Sequence, residues 1–113
     1  ARRTANREFA ALADRHDGVS YLDTDRILGD RLGGFTRIRT GMAGTEVQVR
    51  KVRDGRDDGH LCSAGAALLG QAVLTAVREI HALPEEMDDW WEGEWTRDAR
   101  YEDPPGGCAT TTD

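Results

Sequence analysis

An imidazole can take up and return a proton near neutral pH, and His60 stands in the densest cluster of reactive side chains in this sequence: Asp57-Asp58-Gly59-His60-Leu61-Cys62-Ser63-Ala64-Gly65. A histidine works as a general base only when its tautomer and ring direction are held. Asp57, three residues ahead on the same segment, is placed to accept from one ring nitrogen while the other faces a nucleophile. Gly55 and Gly59 permit the tight backbone path that this needs. The same segment invites comparison with a calcium loop, but Arg56 occupies a ligand place and Gly65 stands where the bidentate acid belongs, so no metal is expected. Ser63 reads as a helix N-cap rather than a nucleophile. His16 falls in a polar turn and His81 near a helix C-terminus, where the helix dipole favours an imidazolium; both read as structural or exposed.

Such a pair must be positioned by regular elements. Ala5, Phe9, Leu12 and Ala13 have the spacing of one helix face, predicting an amphipathic helix over residues 4–16. Asp17-Gly18 ends it, and Val19-Ser20-Tyr21-Leu22 reads as a buried parallel strand following a crossover helix. Asp23 and Thr24 can cap a short helix over 25–28, closed by Gly29, Gly33 and Gly34. Residues 35–39 and 45–52 are β-like around a turn at 41–44, with Val47 and Val49 alternating with Glu46, Gln48 and Arg50 as on a half-exposed rim hairpin. Residues 53–59 read as a loop rich in Asp and Gly. From Ala64 to Leu83 a mostly buried helix is predicted, with Ala66, Leu69, Val73, Ala76, Val77 and Ile80 in one apolar stripe. Beyond Pro84 the sequence turns acidic and Trp-rich, giving two regions: a domain portion over 1–83 and an irregular tail over 84–113 wrapped on it, frayed from Thr110 onward.

Composition narrows the functions. At 113 residues the chain fits one domain, and 38% apolar and 6% aromatic residues make a lean core. The formal charge of -6 removes the attraction to phosphate backbones on which nucleic-acid binders depend, so no nucleic-acid partner is expected. The longest apolar stretch, 64–74, falls well short of the roughly 20 residues that cross a bilayer, so no membrane segment is expected in the chain. Arg2, Arg3 and Arg7 are not followed by an apolar signal core, so no export signal is expected in it either. Cys62 and Cys108 fit one disulfide or two unrelated thiols.

The segment from Asp57 to Gly65 resembles the last conserved block of the SGNH (GDSL-type) hydrolases, an Asp-x-x-His pair followed by Leu, Ser or Thr, two variable residues and Gly at the start of the C-terminal helix. By that likeness Asp57 is the triad acid, His60 the triad base and Gly65 the helix-start glycine, with Cys62 in place of the usual Ser or Thr. The tail, with Trp91, Trp95, Tyr101 and Pro105-Gly106-Gly107-Cys108, is similar to the ending of secreted bacterial members. The resemblance covers about residues 4–108 and implies an α/β chain of three-layer flavodoxin-like SGNH hydrolase fold, present in part as its C-terminal half. It implies a serine ester hydrolase, a carboxylesterase or acyl-ester hydrolase or transferase, that needs no cofactor. Its partner would be an acyl-ester substrate, an acylated glycan among the candidates. The likeness also implies an extracytoplasmic location and a Cys62–Cys108 disulfide, which persists in such compartments.

The family's Gly-Asp-Ser nucleophile segment and its oxyanion-hole Gly and Asn blocks have no counterpart here: the serines are Ser20 and Ser63, and the one asparagine is Asn6. The upstream part of the same domain is therefore expected to carry the nucleophile, and the 113 residues alone are expected to be inactive. The alternative is a non-catalytic fragment or a glycan- or protein-binding module, in which Trp90, Trp91 and Trp95 meet a partner instead of anchoring the tail.

Overall fold

Two helices, four short antiparallel strands and a third helix follow one another along the computed structural model of the chain, which describes residues 2–86, 88–102 and 104–109. The expected fraying from Thr110 onward lies outside these residues. Helix α1 spans Arg2–Arg15 and α2 spans Thr24–Leu28. Four strands follow, β1 at Ile38–Thr40, β2 at Glu46–Gln48, β3 at Arg50–Arg53 and β4 at Arg56–Leu61. Helix α3 spans Ser63–Arg78, and two 3₁₀ turns, Glu94–Arg97 and Ala99–Tyr101, punctuate the tail. The result is a small mixed α/β domain.

Local chemistry accounts for several boundaries. The Asp23 carboxylate accepts from the Arg26 backbone N–H at the start of α2, as its position ahead of the helix predicts. Strands β1 and β2 pair antiparallel, Ile38 opposite Gln48 and Thr40 opposite Glu46, around the expected turn. The 53–59 segment, in contrast, is not a loop. Asp54 (φ 49°) and Gly55 (φ 73°) both take positive φ, the backbone of a two-residue type I′ turn, and join β3 to β4 as an antiparallel hairpin. Helix α3 starts as expected but ends at Arg78, five residues short of Leu83, and its cap position is Cys62 rather than Ser63.

Residues 19–22 lie outside the strands, and among the described residues both sheets are two-stranded and antiparallel. A strand exists only through hydrogen bonds to a neighbour, and none of the described strands runs beside this segment; Val19 is 45% exposed. The core sits where α3 crosses the strands. Val49 is fully buried there, with Leu28, Cys62 and Ala67 around it. The approach is closest at Gly65, where an added Cβ would lie 2.1 Å from the Val49 carbonyl oxygen, so only glycine fits. Helix α2 packs on α3, and Asn6 of α1 donates to the Asp25 carboxylate at 2.8 Å. The α3 stripe is less covered than expected: Val73 is 43% exposed, and Ile80, just past the helix, 66%.

Candidate active site

The β3–β4 register places His60. Arg53 faces Arg56 and Val52 faces Asp57, but the next pair is Arg50 with Leu61. Only Lys51 therefore stands opposite three residues of β4, Asp58, Gly59 and His60. These form a bulge, the device by which a strand re-aims a side chain, and Gly59 takes the positive φ of 86° within it. Directly beyond, Cys62 donates its N–H to the Val49 carbonyl and α3 begins.

Inside the bulge the two aspartates diverge. Asp57 Oδ1 accepts from the Gly59 N–H at 3.0 Å, and its Oδ2 lies 3.5 Å from Arg50 Nη1. Asp58 turns to the histidine: its Oδ1 accepts from the His60 backbone N–H at 3.0 Å and lies 3.3 Å from His60 Nδ1. The Asp58 carbonyl oxygen is also 3.1 Å from Nδ1. The sequence pairs His60 with Asp57; the structure brings it to Asp58 and gives no hydrogen bond between His60 and Asp57. Neither a carbonyl nor a carboxylate can donate, so both neighbours call for a proton on Nδ1, and in the neutral imidazole that tautomer leaves the lone pair on Nε2. The His60 side chain is half exposed, whereas that of Asp58 is 11% exposed.

Charge and tail contacts hold Asp58. Arg53 Nε donates to Asp58 Oδ2 at 2.9 Å, while Arg53 Nη2 donates to the Pro105 carbonyl at 2.6 Å. Burial pushes the Asp58 carboxyl upward, but the His60 N–H, the Arg53 guanidinium and the imidazole together outweigh it and hold the group below the ordinary carboxylate range.

The tail segment 104–109 is tied down at several points. Cys62 and Cys108 form a disulfide, with Cα atoms 5.8 Å apart. The Gly107 carbonyl accepts from Val52 N–H at 3.0 Å and from Gln48 Nε2 at 2.7 Å. The Ala109 N–H donates back to Gln48 Oε1, so that buried amide is satisfied at both ends. Lys51, only 3% exposed, donates its ammonium to the Pro104 carbonyl. Further back, Trp90 Nε1 donates to Gln71 Oε1 on α3 and its ring lies against Gly70, whereas Trp95 is half exposed.

Sequence reasoning places Asp58 second to Asp57 as the acid and gives no role to Arg53, Gln48 or Lys51. Asp54-Gly55 was the available signal, since Asp-Gly is a strong hairpin dipeptide and in a strand residues i and i+2 share a face. Of the two serines, Ser63 is exposed at the start of α3 and Ser20 is exposed in the segment after α1. Two open concavities, about 620 Å³ beside Asn6, Tyr21 and Arg31 and about 570 Å³ beside Glu92 and Arg97, do not include His60. Among the described residues no group of three His, Cys, Asp or Glu side chains could hold a metal ion, and no helix is long and apolar enough to cross a membrane. Chemically the arrangement is an imidazole paired with a carboxylate on an exposed strand. No family model, curated protein or solved structure matches the chain.

Proposed function

We propose that these residues supply the acid–base half of an SGNH-type serine ester hydrolase whose nucleophile comes from polypeptide outside the 113. Its complete domain would be the three-layer flavodoxin-like fold. The observation that carries this reading is His60 itself, held through Nδ1 on a bulge immediately ahead of α3, with Nε2 unpartnered among the described residues. In the reaction, His60 Nε2 takes the proton of the serine hydroxyl as its oxygen attacks the ester carbonyl, then returns it to the departing alkoxide; a water repeats the cycle on the acyl-enzyme. No cofactor enters this chemistry. The exposed Val19 fits the reading, since residues 19–22 would gain strand neighbours from the same outside polypeptide. The Cys62–Cys108 disulfide suits an extracytoplasmic protein. An acylated glycan suits the half-exposed Trp95, whose indole could stack on a sugar ring.

Steady-state hydrolysis of aryl acyl esters tests the proposal. The 113-residue chain should be no faster than free imidazole, and the polypeptide extended upstream through its own reading frame should turn esters over. His60→Ala in the extended form should lower kcat by about 10⁴-fold or more, as removal of a triad base does. An extended form without a Gly-Asp-Ser segment, or without ester turnover, would favour a binding module instead.

A further inference from the structure

We propose that Asp58, rather than Asp57, is the positioning acid of His60, and that Arg53 holds Asp58 in that role. The catalytic meaning of the pair rests on the hydrolase reading above, but the pairing stands on geometry alone. On a regular strand Asp57 and His60 would face opposite sides and Asp58 and His60 the same side. The bulge at Gly59 could have reversed this; instead it leaves Asp58 on both Nδ1 and the backbone N–H of His60. Asp57 is occupied by the Gly59 N–H and faces Arg50. Of the two carboxylates Asp58 is also the more shielded, 11% exposed against 30%, so its interaction with an imidazolium is screened less by water. Arg53 completes the set. Its Nε takes Asp58 Oδ2, leaving Oδ1 to the histidine, and its Nη2 ties the pair to the Pro105 carbonyl of the disulfide-anchored tail. The arrangement runs from tail to Arg53, to Asp58, to His60.

Two isosteric variants separate the aspartates. Asparagine keeps the carbonyl oxygen that accepts a backbone N–H, so Asp58→Asn and Asp57→Asn both preserve their turns while losing the charge. The first readout is ¹⁵N NMR of the imidazole in the 113-residue chain, with His16 and His81 as internal references. The native chain should show His60 protonated on Nδ1, and exchange of that proton with solvent should quicken about tenfold in Asp58→Asn, because a charge-assisted hydrogen bond has become a neutral one. A proton on Nε2, or a response to Asp57→Asn and not to Asp58→Asn, overturns the assignment whether or not the protein is an esterase.

The second readout is kcat of the extended polypeptide. Asp58→Asn should lower it about 10²-fold. This is milder than the roughly 10⁴-fold loss that follows a wrong tautomer, because the Asp58 backbone carbonyl still accepts from Nδ1. The loss from Asp57→Asn should be about tenfold smaller than that from Asp58→Asn; the reverse order would return the role to Asp57. Absence of any ester turnover would count against the hydrolase reading and leave the NMR result to decide the pairing.

Discussion

Asp30, Asp58, Glu86 and Asp98 are held in their ionised form by the groups around them, and that makes acid sensitivity a property of individual residues. The Gly34 and Leu32 N–H groups hold Asp30 below the ordinary carboxylate range. The Arg100 guanidinium does the same for Asp98, and that of Arg78 for Glu86. Asp58 joins them despite its partial burial. A carboxyl whose folded value is depressed contributes stability above its unfolded value and loses it as pH falls toward the folded one. The unfolded values are about 3.8 for Asp and 4.5 for Glu. Thermal melts should accordingly give a Tm that falls progressively as the pH drops below about 4. A Tm that rises on acidification would show that these contacts do not favour the folded chain. Asp58 also marks the limit of reading at this scale: the chemistry of an Asp with a His is visible in the residue types, but which of two adjacent carboxylates lies on the imidazole depends on the segment being a strand, where residues i and i+2 share a face.

At the scale of elements, the disulfide connects the hairpin, α3 and the tail. It closes a separation of 46 residues, for which the chain-entropy model gives about 4 kcal/mol of stabilisation, large for a domain in which, among the described residues, Val49 alone is fully buried. Reduction, or Cys62→Ser with Cys108→Ser, should move the urea midpoint down and release the 104–109 segment from β3, detectable as faster exchange of the Val52 amide whose bond to Gly107 is lost. An unchanged midpoint would mean that Gln48 and Lys51 hold the tail unaided. The elements were legible where local chemistry decides them. The Asp23 cap and the β1–β2 turn follow from side chains within a few residues. The β3–β4 hairpin was not, because Arg53, Arg56, Asp57 and Asp58 offer no apolar alternation and the Asp54-Gly55 signal was absorbed into a loop. The β-rich composition of residues 19–22 predicts a strand but says nothing about whether a neighbour is there to pair.

The whole molecule is thinly packed for its length. A compact domain of this size has a radius of gyration of about 13 Å, and this chain has 15.6 Å. Phe9 and Leu12, the apolar face predicted for α1, are 60% and 41% exposed, and Leu32 is 88% exposed. That exposed apolar surface suits the proposed enzyme, divided between this chain and further polypeptide, in which His60 would act on a nucleophile from outside the 113 residues. Labelling with a fluorophosphonate, which reacts covalently with a serine activated by an adjacent base, tests this most directly. The extended polypeptide should be labelled at a serine outside the 113 residues, the label should vanish in His60→Ala, and the 113-residue chain should remain unlabelled. Labelling that persists in His60→Ala, or that falls on Ser63 of the 113-residue chain, would contradict the account.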